Sequence, residues 1–157
     1  MSDAAINWPD LAGRIDGKRH VLPIRVYFED TDFSGLVYHA NYLRYCERGR
    51  SDFLRLLGVH HNELFSTEDG SEPLAFAVKR MEIDFLRPAK IDDVLQVETT
   101  TKDITGAALH LEQAVMRGNE TLFKALVTAV LISPRGRPKR LPTDIRETFA
   151  AFVEDDS

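Results

Sequence analysis

The sequence has a single cysteine, Cys46, among its 157 residues. No intramolecular disulfide can form and no cysteine cluster can hold a metal, which suits a reducing compartment and predicts a cytoplasmic protein. Basic charge is also scarce, with 20 Lys and Arg against 25 Asp and Glu and a net charge of -5. Without a basic field, non-specific binding to nucleic acid lacks its driving force, so no nucleic-acid partner is expected. No run approaches the ~20 apolar residues that span a bilayer. The longest apolar region, Leu122 to Ile132, is broken by Lys124 and Thr128, so no membrane span is expected. The N-terminus carries early acids and no apolar stretch ahead of a small-residue cleavage site, which argues against export. No G-x-S-x-G elbow, P-loop, dinucleotide fingerprint or internal repeat occurs.

What is present is ordinary globular usage, 43% hydrophobic and 29% charged residues. A chain of this size buries roughly 70% of its unfolded surface around one core. Residues 1–20 are polar and turn-rich and read as a flexible arm, with a short turn near Trp8 and Pro9. Residues 21–157 read as a single domain. "VLPIRVYFE" leans towards strand. From about His39 to Leu57, Tyr42, Tyr45, Cys46, Gly49, Phe53, Leu56 and Leu57 recur at helical spacing, predicting an amphipathic helix of about five turns. Arg48 and Asp52 lie one turn apart on its polar side and read as a surface pair; Gly58 stands where a helix terminates.

Strands follow. Phe76 and Val78 share one parity while Met81, Ile83 and Phe85 share the other, so a bulge near Lys79 and Arg80 is expected. "VLQVETTT", "AALHLEQAVMR" and "TLFKALVTAVLIS" are separated by short turn signals and should pair as antiparallel neighbours. The last is apolar on both faces, as a central strand covered on each side would be. Thr143 reads as the N-cap of a short terminal helix. The predicted class is therefore α+β, a curved antiparallel sheet around one long helix. One helix cannot cover such a sheet, which points to a homo-oligomer.

Chemistry concentrates in "EDTDFSGLVYHANY", residues 29–42. Asp30, Asp32, Ser34 and Gly35 fall at calcium-loop positions, but Asn41 stands where a bidentate Glu belongs and a strand precedes the loop where a helix is needed. The same residues suit catalysis. A helix start offers unpaired amides for a developing oxyanion, Asp32 could act as general base or nucleophile, and His39 could orient water or polarise a carbonyl. Taken singly, Asp32 and Asp30 are ordinary capping or turn residues and His39 an ordinary packing residue. Cys46 lies on the apolar stripe and reads as core. The His60-His61 pair lacks a third ligand, and His20 and His110 stand alone. Lys79, Arg80, Arg87 and Lys90, with the "RGRPKR" run containing Arg135 and Arg137, could meet phosphates.

Residues 25–54, "RVYFEDTDFSGLVYHANYLRYCERGRSDFL", resemble the D-T-D-x-x-G-x-V-Y-H-x-N-Y segment and E-R-x-R helix of the hotdog-fold acyl-CoA thioesterases. Within them, the resemblance is to the 4-hydroxybenzoyl-CoA thioesterase group that includes the Tol-Pal-associated YbgC proteins. It extends more weakly to about residue 135. It implies a hotdog fold and hydrolysis of an acyl- or aroyl-CoA to free acid and CoA, with no resident cofactor or metal. It makes Asp32 the catalytic acid and His39 its additional histidine. The oxyanion amide falls at or near His39, and Gly35, Tyr38 and Asn41 shape the turn. It also implies a dimer with active sites at the interface, within a tetramer, and admits acyl carrier protein as a partner. A non-catalytic acyl-binding or scaffold protein on the same fold is the competing expectation. Gly49 departs from the alanine of many relatives and should cost the helix ~1 kcal/mol.

Overall fold

The structure, a computed structural model, describes residues 13–59 and 73–154. The turn near Trp8 and Pro9, the His60-His61 pair and nearly all of the acidic loop that follows it lie outside the described residues. The chain forms β1 (Arg14–Asp16), β2 (Arg19–Arg25), α1 (His39–Leu56), β3 (Ala75–Phe85), β4 (Val94–Thr105), β5 (Ala108–Arg117), β6 (Glu120–Ile132) and α2 (Thr143–Ala150). All six strands join one antiparallel sheet in the order β1-β2-β4-β5-β6-β3. The class is α+β, as predicted. The sheet is already engaged within the expected arm, since Arg14 pairs with Val21 and Asp16 with Arg19.

The helix bounds match the periodicity, and the chain leaves α1 through Gly58, whose φ of +84° only glycine adopts at no cost. The bulge is in place: β3 slips register against β6 between Val78 and Arg80. The slip turns Phe76 and, beyond it, Met81 and Ile83 towards the same interior, where they pack on two adjoining clusters. One cluster holds Tyr42, Tyr45, Leu95, Val97 and Phe123; the other holds Phe53, Leu109, Leu131 and Phe149. Burying each of these large side chains contributes roughly 2–3 kcal/mol.

Four expectations are corrected. In β6, Phe123, Ala125, Val127, Ala129 and Leu131 are buried, but Leu126 on the other face is exposed. Only one face is covered by this chain. Thr143 is the first residue of α2, preceded by Pro142, and its side chain makes no cap bond. Leu56 is exposed, and Asp52 takes its place on the buried side of α1 at 4% exposure. Asp52 therefore does not pair with Arg48, whose guanidinium sits 5.9 Å from the Tyr45 ring centroid. Instead its carboxylate accepts from the Gly13 amide at 2.7 Å, His20 Nε2 at 2.6 Å and Arg55 Nη2 at 2.5 Å.

Gly49 is not a defect of the helix. A Cβ there would stand 2.8 Å from Val97 Cγ1, and Gln113 and Thr99 lie just beyond. The missing side chain lets α1 settle onto β4 and β5. There Gln113 Nε2 donates to the Cys46 carbonyl and to Thr99 Oγ1, both at 2.9 Å, tying helix to sheet.

Candidate active site

The segment between β2 and α1 is a small hairpin whose backbone bonds to itself. Thr31 bridges Val37, the Asp32 amide donates to the Leu36 carbonyl at 3.1 Å, and the Gly35 amide to the Asp32 carbonyl at 3.0 Å. Gly35 has a φ of +83°, which the reversal requires. The hairpin is fastened on both sides. The Val37 amide donates to the Ala89 carbonyl at 2.9 Å, and Leu36 bridges Lys90. On the helix side, the Asp30 carbonyl accepts from the Tyr38 amide at 2.9 Å and from Asn41 Nδ2 at 2.7 Å. Arg44 in turn holds the Asn41 amide oxygen at 3.0 Å. Asp30 thus uses its carbonyl to seat the helix and its carboxylate to accept the Tyr27 amide at 2.8 Å. The calcium-loop alternative loses its context, because a strand and a single 3-10 turn, Phe28–Asp30, lead into the segment.

Asp32 is exposed at the hairpin tip. Its Oδ1 accepts the Ser34 hydroxyl and the Ser34 amide. These two bonds, with a further pull from His39, hold its carboxyl below the usual carboxylate range, so it is ionised at neutral pH. Among the described residues, no hydrogen bond reaches Oδ2. His39 opens α1, and no side chain caps that helix. The Asn41 amide folds back on the Tyr38 carbonyl at 2.8 Å. The His39 and Ala40 amides have no intrahelical acceptor, which is the general condition of a helix start.

Beside this start runs a shallow groove of about 300 Å³ lined by Leu36, His39, Tyr42, Phe85, Leu86 and Pro88. His39 stands edge-on to Phe85 at 6.3 Å and against Tyr38 at 4.3 Å. The floor is stiff: Tyr42 stacks on Phe123 at 5.3 Å and its hydroxyl accepts the Ala89 amide at 2.9 Å. Helix start, hairpin and β3–β4 loop are therefore pinned together by bonds that do not use the Asp32 side chain.

Of the sequence-predicted residues, Asp32, Gly35, Tyr38, His39 and Asn41 come together here, the last as a brace. Arg87 lines the groove and Lys90 flanks the hairpin. Lys79 and Arg80 sit back along β3, Arg80 paired with Glu82 at 2.6 Å. Arg135 and Arg137 lie in the turn after β6, at the far end of the sheet from the hairpin. Sequence reading missed the groove wall formed by Leu36, Phe85, Leu86 and Pro88. Alternation placed Phe85 in a strand, but nothing local says that the strand ends beside a helix start.

The thioesterase-like superfamily model matches residues 26–149. The acyl-CoA thioesterase YbgC of Haemophilus influenzae is 39% identical over 128 residues, covering 81% of this chain and 91% of that protein. The acyl-CoA thioester hydrolase YbgC of Escherichia coli is 37% identical over 130 residues, covering 81% and 92%. The crystal structure of a probable thioesterase from Bartonella henselae superposes with a TM-score of 0.75 at 47% identity, covering 79% of this chain and 99% of that one.

Proposed function

The chain belongs to the thioesterase-like superfamily, and on that premise we propose how it works as an acyl-CoA thioester hydrolase. Its reaction converts the thioester of an acyl-CoA and water to a free acid and coenzyme A. Asp32 acts as general base: it takes a proton from the water that adds to the carbonyl carbon. The negative charge that gathers on the carbonyl oxygen is met by the amides opening α1 at His39 and Ala40, where the helix dipole adds to the hydrogen bonds. His39 positions the carbonyl from the groove side. Collapse of the intermediate breaks the C–S bond. The departing thiol, with an ordinary pKa near ~8.5, leaves as a thiolate and needs little help from an acid at neutral pH. Direct attack by Asp32 to give a transient anhydride is the alternative route, and the exposed Oδ2 is equally open to it.

The observation that carries this reading is an ionised, exposed carboxylate on a rigid hairpin whose bonds also fix the start of α1. Arg87 and Lys90, next to the groove, are the cations best situated for the CoA phosphates. No metal or resident cofactor enters any step.

A dimer completes the site in this reading. β3 is an 11-residue edge strand with one side of its backbone open, and the other edge, β1, has only three residues. A long edge of this kind is a template for a second copy. Phe28 and Phe33, at 80% and 106% exposure, crowd the hairpin with apolar surface that water alone would otherwise face.

The test is thiol release from short, aromatic and long acyl-CoAs by the parent protein, Asp32→Asn and His39→Ala. Asp32→Asn keeps the shape and loses the base, so kcat should fall ~10²- to 10⁴-fold while the melting temperature holds. Equal rates in parent and Asp32→Asn reject the mechanism. Single turnover in ¹⁸O-water then tests the anhydride: label entering the Asp32 side chain requires it, whereas label confined to the product acid is the outcome of the base route and of an anhydride opened by water at the acyl carbon.

A further inference from the structure

α1 packs against β2, β4 and β5, and a gap lies between its second half and the start of β3. That gap is a cavity of about 340 Å³, within the range of small-molecule sites. Its walls are apolar, with Phe76, Leu111 and Phe149 among them, and Val78 stands at its rim. Its polar side comes from α1: Glu47, Arg50 and Ser51. The cavity lies about 16 Å along α1 from His39, by the helical rise over eleven residues, and forms no part of the groove beside that residue.

Arg50 is the unusual member. Its guanidinium is partly withdrawn from water, and burial lowers its pKa. Its hydrogen bond is Nη1 to Gln113 Oε1 at 2.9 Å, a neutral acceptor. Glu47 attracts it electrostatically from one turn away, yet among the described residues no carboxylate lies within ion-pair distance of it. Gln113 is itself locked to Cys46 and Thr99, so the guanidinium is held in place with several donors unused. A fixed, partly desolvated cation on the wall of an apolar cavity is built to receive an acceptor oxygen on an apolar stem.

The symmetry of the edge strand says whose ligand it is. In the dimer proposed above, a two-fold axis crossing the middle of β3 would run the first half of one copy's strand alongside the second half of the other's, which ends at Phe85, the residue on which that copy's His39 rests. Phe76, Ala77 and Val78, which line the cavity, would then lie next to the end of the second copy's groove at Phe85. We propose that this cavity receives the acyl group of a thioester held at the neighbouring copy's hairpin, and that Arg50 selects acyl groups ending in a hydrogen-bond acceptor, above all a carboxylate. The proposal rests on the thioesterase reading. Its substrate class is medium-length acyl-CoAs with a distal carboxylate or hydroxyl.

Two measurements test it, and the first needs no catalysis. Hexanoate, whose carboxylate and short tail match the cavity, should bind the full-length protein in calorimetry, with hexanol binding at least tenfold more weakly. Arg50→Met should remove that difference, and Arg50→Lys should restore part of it. Val78→Trp, which blocks the rim and leaves the Arg50–Gln113 bond intact, should weaken both ligands, so loss of folding in Arg50→Met does not decide the matter. The second measurement compares kcat/KM for adipoyl-CoA and hexanoyl-CoA. The parent should favour adipoyl-CoA at least tenfold, chiefly through KM, and Arg50→Met should cut that ratio at least tenfold. Equal binding of hexanoate and hexanol by the parent overturns the proposal, as does an adipoyl-to-hexanoyl ratio that Arg50→Met leaves unchanged. Absence of hydrolysis of either ester overturns the thioesterase reading instead, and the hexanoate titration still decides the role of Arg50.

Discussion

The two ends of α1 handle an aspartate in opposite ways. At the start, Asp32 is exposed, bonded only within its own hairpin, and leaves one oxygen open. Near the end, Asp52 is 4% exposed and its two oxygens take three donors from three separate segments. Burying a carboxylate is tolerable only with such a full set of partners, and a full set leaves nothing for a substrate. Rigidity at the hairpin end comes from backbone bonds around the acid instead. The comparison separates what holds the helix in place from what the helix presents.

The sharpest way to break the contrast is to remove each acid. Asp52→Ala strands the Gly13 amide and His20 Nε2 in a buried site and should cost about 3–5 kcal/mol in urea unfolding. Asp32→Asn should leave the unfolding midpoint where it was, while kcat should fall ~10²- to 10⁴-fold. A similar midpoint for both variants would mean that Asp52 is not the fastening the structure describes.

Acid sharpens the contrast further. Burial lowers the His20 pKa below 6.5, so the ring is neutral and donates Nε2–H to Asp52, with Nδ1 left as a buried acceptor without a partner. Burial alone would raise Asp52, but the bonds from His20, Gly13 and Arg55 hold it below its ordinary value. Both groups bind protons less readily folded than unfolded, so both lend stability at neutral pH and lose it on acidification. The His20 contribution is complete above pH 6.5 and declines below it, and the Asp52 contribution fails only below pH 3.8. The melting temperature should therefore fall by ~2 °C or more between pH 7 and 5, and His20→Gln should flatten that slope. The Asp32 carboxyl, also lowered, stays ionised throughout the same window, so under the proposed mechanism kcat should not follow the melting curve.

Smaller effects remain. Gly49→Ala gains helix propensity of ~1 kcal/mol but forces Val97 to move at a cost of ~1–3 kcal/mol, so calorimetry should record a net loss of about 1 kcal/mol. Arg55→Gln removes the exposed one of the three donors to Asp52 and should cost under ~1 kcal/mol.

Periodicity made the fold legible where one element's own residues decide its state. Phe76, Val78, Met81 and Ile83 revealed the bulge because parity is a property of one strand. Tyr42 through Phe53 revealed α1 because a stripe is a property of one helix. That Asp32, His39 and Asn41 lie together was legible because a local motif sets them within ten residues of one another. Partners far along the chain were not. Asp52 looks like any exposed helix acid until His20, 32 residues earlier, arrives on β2. Gly49 looks like a weak helix residue until Val97 is beneath it. β6 reads as covered on both faces because sequence cannot say whether its second cover belongs to the same chain.

The slip at Lys79 works like a change of reading frame within one strand. Upstream of it, Phe76 and Val78 turn to the Arg50 cavity; downstream, Met81 and Ile83 pack on the core and Phe85 reaches the His39 groove. Deleting that one residue would set both halves in a single frame, turning the walls of one compartment outward while the other kept its lining. A single extra residue thus lets one ribbon furnish two rooms.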